Sequence, residues 1–153
     1  MKIAVGSDHA GFALKAALLS ELCARDAEVT DCGPAEPVSC DYPDYGAKVA
    51  AMVSEGRADR GVLICGTGQG MCMTANRFPG VRAALVYDEF SARITRQHND
   101  ANVICLGSRT PTGDPKLAVR LVKAWLSADF AAGRHARRLK KIAAYEKRRC
   151  RKL

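Results

Sequence analysis

Aromatic residues are scarce in this chain of 153 residues: Phe, Trp and Tyr together make up 6%. That leaves few platforms on which the bases of a single strand of nucleic acid could stack. No apolar run approaches the ~20 residues a membrane-spanning helix needs, so a bilayer partner is not expected. The start, Met1-Lys2-Ile3-Ala4-Val5-Gly6, is broken too soon by Gly6, Asp8 and His9 to read as a signal peptide. The expectation is a cytoplasmic protein. The seven cysteines are odd in number and none stands in CxxC or CxxH spacing. That argues against a disulfide framework and against a structural zinc site, and leaves thiols in a reducing compartment.

What is present in excess is basic charge, and it is confined to one end. The net charge is +8. Residues 1–133 carry 14 Lys/Arg against 15 Asp/Glu, a balance of −1; residues 134–153 carry 10 Lys/Arg against Glu146 alone, a balance of +9. A basic tail fits nucleic acid, but it also fits a phosphate site or a solubilising end. With a near-neutral body and so few aromatics, nucleic acid is the weaker reading.

Short apolar runs alternate with amphipathic stretches. Strands are predicted at Ile3–Gly6, Glu28–Cys32, Arg60–Cys65, Val81–Tyr87 and Val103–Gly107. Helices are predicted over Ala10–Ala24, Tyr45–Glu55, about Met71–Arg77, Glu89 to about His98, Asp114–Ser127, and from Gly133 toward Arg149, with the Pro-containing stretch to Pro43 as a loop. Near-continuous apolar strands, each followed by a helix, imply a parallel sheet covered on both faces, in one domain over 1–153 with a basic helix and tail from 136. In such sheets ligands bind beyond the carboxyl ends of the strands. Residues following the strands are therefore the candidates.

Strand one is followed by Ser7-Asp8-His9-Ala10-Gly11, strand three by Cys65-Gly66-Thr67-Gly68-Gln69-Gly70, and strand five by Gly107-Ser108-Arg109. Arg96-Gln97-His98-Asn99-Asp100 precedes strand five, and all of these groups are expected to converge on one edge. Glycine at 66, 68 and 70 suits a loop whose amides face an anion, or a plain strand-to-helix turn. It is not a dinucleotide fingerprint, since GxGxxG needs glycine where Met71 stands, although Asp88 keeps a ribose contact open. Cys65 reads either as a packed core thiol or as a thiolate favoured by those amides. His98 reads as a helix-terminal histidine or as an acid–base group. Arg134 and Arg138 share a helix face with His135 beside them, a pairing suited to phosphate. Arg137, Lys140, Lys141 and Arg148 to Lys152 read as a solvated basic face.

Gly6-Ser7-Asp8-His9-Ala10-Gly11, Asp41-Tyr42-Pro43, Cys65-Gly66-Thr67-Gly68-Gln69-Gly70-Met71, Ala75-Asn76, Pro79-Gly80-Val81-Arg82-Ala83, Arg96-Gln97-His98-Asn99-Asp100-Ala101-Asn102-Val103 and Gly133-Arg134-His135 resemble the type B ribose-5-phosphate isomerases. The likeness runs from residue 2 to about 146. The same superfamily holds galactose-6-phosphate and allose-6-phosphate isomerases. The resemblance implies a Rossmann-like three-layer α/β/α domain with a five-stranded parallel sheet and a C-terminal helix. It also implies a homodimer, sometimes a tetramer, with active sites shared between subunits, a sugar phosphate as substrate, no metal and no organic cofactor. By the same resemblance His98 opens the sugar ring and Cys65 moves the proton through a cis-enediolate. A second branch of the family uses a glutamate at the position of Met71. The Gly66, Gly68, Gln69 and Gly70 amides stabilise the oxyanion, Thr67 handles a proton, and Asp8, Tyr42 and Asn99 hold sugar hydroxyls, Asp8 also assisting ring opening. His9, Arg109, Arg134 and Arg138 bind phosphate, some from the partner. The alternatives are the same chemistry on a six-carbon sugar phosphate, or a non-catalytic nucleotide-binding domain.

Overall fold

The computed structural model describes residues 1–24 and 27–150. Among these, the strands β1 (Lys2–Ser7), β2 (Glu28–Asp31), β3 (Arg60–Cys65), β4 (Ala83–Leu85) and β5 (Val103–Gly107) form one sheet. The helices α1 (Phe12–Cys23), α2 (Tyr42–Ser54), α3 (Gln69–Ala75), α4 (Glu89–Asn99) and α5 (Pro115–Leu126) alternate with them, and α6 (Gly133–Cys150) follows. Every strand pair is parallel and the order is β2-β1-β3-β5-β4. This is the three-layer α/β/α architecture the alternation predicts.

Successive strand residues point to opposite faces, so each strand serves two cores. Val62 and Ile64 of β3 join Ile3, Val5, Ile104 and Leu106 beneath α1 and α5, around the fully buried Trp125. Leu63 and Cys65 join Ala4, Val103 and Cys105 beneath α2 and α3, against Val49 and Met71. Two buried faces explain why the central strands read as unbroken apolar runs.

The edges differ from expectation. In β2 only Val29 is half-buried and its neighbours are exposed, because this strand pairs on one side alone. β4 shrinks from the predicted Val81–Tyr87 to Ala83–Leu85 at the opposite edge. Tyr42, expected in a loop, instead opens α2, with Pro43 in the first turn where a missing N–H leaves no bond unmade. The Lys15 ammonium, 3% exposed, grips both Asp31 oxygens at 2.7 Å and the Pro34 carbonyl at 2.9 Å, and so pins the loop after β2 to α1. Arg137, Lys140 and Lys141 are exposed, as a solvated face requires, while Arg151-Lys152-Leu153 lie outside the described residues.

The chain leaves β1 toward β2 and returns to β3 on the other side of β1. The crossovers on the two sides diverge there and open a crevice at the carboxyl ends of β1 and β3.

Candidate active site

Cys65 ends β3 at that crevice, 4% exposed. Its Sγ accepts the Gly68 N–H at 3.1 Å, so the loop folds an amide back onto the sulfur. Gly68 makes this turn with φ of 76°, a left-handed conformation open to glycine, and a Cβ there would lie 3.0 Å from the Leu106 carbonyl. Gly70 passes against the Tyr42 ring, where a Cβ would come within 2.6 Å of two ring carbons. Thr67 and Gln69 are exposed on the loop, and the Gln69 N–H donates to Thr67 Oγ1 at 3.4 Å. The Arg109 amide donates to the Gly66 carbonyl at 2.9 Å, and the Arg109 side chain lies along Gly66.

Beyond β1, Asp8 is 7% exposed and Oδ1 accepts the Gly11 N–H at 3.0 Å, while the Asp8 amide donates to the Ile64 carbonyl at 3.1 Å. The aspartate is thereby tied to the last turn of β3. His9 Nδ1 sits 3.2 Å from the Cys40 amide nitrogen and 3.3 Å from the Cys40 carbonyl oxygen. With Nδ1 unprotonated the ring accepts from the amide; with Nδ1 protonated it donates to the carbonyl. Asp8, His9, Tyr42, Cys65 to Gly70 and Arg109 thus form one group.

His98 and Asn99 are not part of it. The convergence of every candidate on one edge fails for a simple reason: a helix between parallel strands runs back toward the strand starts. The end of α4 lies beside the beginning of β3 and β5, where the Gly61 N–H donates to the Asn102 carbonyl. Six residues of β3 separate that edge from Cys65, roughly 16 Å at ~3.3 Å per residue. His98 instead stacks on His135 of α6, ring centroids 4.0 Å apart and planes 11° from parallel. Arg134 Nε donates to His135 Nε2 at 3.5 Å. Burial, then the neighbouring His98, Arg134 and Arg138 charges, hold the His135 imidazole below its ordinary pKa. Arg134, Arg138 and Asn99 are exposed around this pair. His98, Asn99, Arg134 and Arg138 therefore form a second group at the opposite edge of the sheet.

The residues that hold this second group had no role assigned from the sequence. Asp100, at φ of 47°, caps α4 and pairs with Arg96 and, at 2.8 Å, with Arg82. Arg82 Nε also donates to the Asp100 carbonyl at 2.9 Å, and Trp125 Nε1 to the Ala101 carbonyl at 3.1 Å. A groove of about 760 Å³ lies between α6 and the β4 edge and is walled by Val81, Ala84, Leu139 and Ile142. Of the candidates it touches Asn99 and none of the Cys65 group.

Replacing Gly68 by alanine should cost about 1–3 kcal/mol, from the left-handed φ and the Leu106 carbonyl. A urea midpoint equal to that of the unaltered protein would show that the turn tolerates a side chain.

Residues 3–142 match the ribose/galactose isomerase family. The chain is 45% identical over 148 residues to ribose-5-phosphate isomerase B of Escherichia coli, covering 97% of this chain and 98% of that protein. The structure of Clostridium thermocellum ribose-5-phosphate isomerase B superposes with a TM-score of 0.94 at 47% identity, covering 97% of this chain and 99% of the other. That of the Mycoplasma genitalium ribose-5-phosphate isomerase B, solved with bound ribulose 5-phosphate, gives 0.91 at 44% identity, with 95% and 96% covered.

Proposed function

Because this chain belongs to the ribose/galactose isomerase family and is an isomerase, we propose that it interconverts ribose 5-phosphate and ribulose 5-phosphate with Cys65 as the base. The observation that carries this reading is the Cys65 sulfur at the crevice, facing an amide donor at 3.1 Å. With the sugar in its open form, the thiolate takes the proton from C2. The C2 electron pair becomes the C1–C2 double bond of a cis-enediolate, and the charge moves to O1. Cys65 then returns the proton to C1, and the O2 proton passes to O1 with Thr67 as relay, leaving a ketone at C2. The amides of Gly66 to Gly70 stabilise the oxyanion, a role worth about 2.7–4 kcal/mol per donor in enzymes where one has been removed. Asp8, Tyr42 and Asn99 hold hydroxyls; His9, Arg109, Arg134 and Arg138 hold the phosphate. Met71, a fully buried residue of α3, has no part in the chemistry.

The active unit is a homodimer. Ring opening by His98 and proton transfer by Cys65 must act on one sugar, yet the two side chains sit at opposite edges of one sheet. A two-fold axis that lays the His98 edge of one copy on the Cys65 edge of the other completes both sites at once, since such an interface is self-complementary. This arrangement also brings Arg134 and Arg138 to the phosphate from the partner.

A coupled assay of ribose 5-phosphate beside allose 6-phosphate and galactose 6-phosphate tests the substrate. Turnover of the pentose phosphate well above both hexose phosphates is expected, and the reverse order transfers the proposal to a six-carbon sugar. Replacing Arg134 by alanine should raise KM for ribose 5-phosphate by about tenfold or more, as loss of a charge-assisted hydrogen bond of about 1.5–3 kcal/mol predicts, with little change in kcat. An unchanged KM removes Arg134 from the phosphate site.

A further inference from the structure

His135 is the one histidine that the chemistry above leaves without a role, and it is nearly enclosed, 7% exposed in the first turn of α6. Its ring lies against that of His98, with centroids 4.0 Å apart and planes 11° from parallel. On its edge, Nε2 accepts from Arg134 Nε at 3.5 Å, which leaves the ring proton on Nδ1 and the imidazole neutral. The face of His135 thus meets the group assigned to ring opening, and its edge meets a group assigned to phosphate. The backbone holds it there. Ala132 and Gly133 take left-handed φ of 50° and 51°, a conformation uncommon for alanine. The His135 N–H donates to the Ala132 carbonyl at 2.9 Å. The Ala131 N–H donates to the Gln97 carbonyl at 2.9 Å and ties the entry of α6 to the residue beside His98.

We propose that His135 is the positioning residue of His98: its face fixes the plane of the His98 ring for opening of the sugar, and its edge steadies Arg134 for the phosphate. This proposal rests on the isomerase reading of the site. The torsion that turns an imidazole has broad wells, so a half-buried histidine near the end of α4 holds no single plane by itself. A second ring lying flat against it selects one.

Ring opening needs that selection. Protonated His98 gives its proton to the ring oxygen, and the bond from C1 to that oxygen breaks, leaving its electron pair on the oxygen. The C1 hydroxyl yields its proton to Asp8 of the partner subunit and becomes the aldehyde. The His98 N–H must therefore point in one direction, since a misplacement of about 1 Å can slow such a step by about 10²-fold. Burial, then the charges of His98, Arg134 and Arg138, lower the His135 pKa, so a neutral face lies against the His98 cation. Packing alone would be satisfied by any apolar ring. Histidine supplies the flat face and the nitrogen together.

Two substitutions separate the roles. His135→Phe keeps a flat ring and removes the nitrogen: KM for ribose 5-phosphate should rise about two- to tenfold, with kcat within about twofold of native. His135→Leu removes both: KM should rise as much, and kcat on the cyclic sugar should fall by about tenfold or more while an open-chain analogue is spared. Equal loss of kcat in both variants, or equal loss on cyclic and open-chain sugars, overturns the positioning role. A tenfold loss of kcat with phenylalanine overturns it even if the leucine protein does not fold. The stack is also read without turnover. In carbon-13 histidine-labelled protein, the His98 ring-proton signal, identified by its absence from His98→Asn, should lie upfield in the native and phenylalanine proteins and move downfield with leucine. A signal unmoved by leucine overturns the stack. An unaltered chain that does not turn over ribose 5-phosphate, with the signal responding as expected, would instead overturn the isomerase reading and the ring-opening consequence with it.

Discussion

Replacing Cys65 by alanine should reduce turnover of ribose 5-phosphate by about 10²–10⁴-fold, the range for loss of a positioned acid–base group, while the affinity for the sugar phosphate stays within about threefold. The asymmetry follows from where the sulfur sits. Cys65 is almost wholly buried at the end of β3; in the proposed complex it touches the reacting carbons, while His9 and the arginines hold the phosphate. Removing Sγ deprives the C2 proton of its acceptor and leaves the Gly68 N–H without its partner. It removes no phosphate contact. Steady-state kinetics give the first quantity, and calorimetric titration of the variant with ribose 5-phosphate gives the second. Near-normal turnover refutes the base; loss of binding together with turnover would mean that the substitution had collapsed the loop.

Two inactive chains should make one active enzyme. If Cys65→Ala and His98→Asn chains are each nearly inactive on the cyclic sugar and are then unfolded together and refolded, half of the dimers are mixed. Each mixed dimer has one site with Cys65 and His98 both intact, so recovery should reach about a quarter of the native activity. A site contained in one chain yields no recovery. The expectation rests on the antiparallel run of α4 against β3, which sets His98 and Cys65 roughly one strand length apart. His98→Asn alone should harm the cyclic sugar far more than an open-chain analogue; equal loss on both would count against ring opening.

The layered sheet was legible because burial on two faces writes itself as apolar runs: Val62-Leu63-Ile64 and Val103-Ile104-Cys105-Leu106 need no alternation when both faces are covered. The edge strands were less legible for the same reason in reverse. Glu28 and Asp31 lie on an exposed edge, and Val81 to Tyr87 reads as a strand although only Ala83–Leu85 pairs. Among the site candidates, Cys65, Asp8 and Arg109 were readable from their places just after strands. Arg82 was not: it meets Asp100 across 18 residues of sequence separation, which no local pattern records, whereas Arg96 and Asp100 stand one helical turn apart.

By itself, the sequence determined the layered fold, the candidates just after the strands, and the identity of the chemical groups, because period, punctuation and residue type are local properties. Only the tertiary structure decided which of those groups share a place. It separated His98, Asn99, Arg134 and Arg138 from Cys65, since a helix must run back along the strand it follows. It also joined Arg82 to Asp100, since packing brings together residues that are distant along the chain.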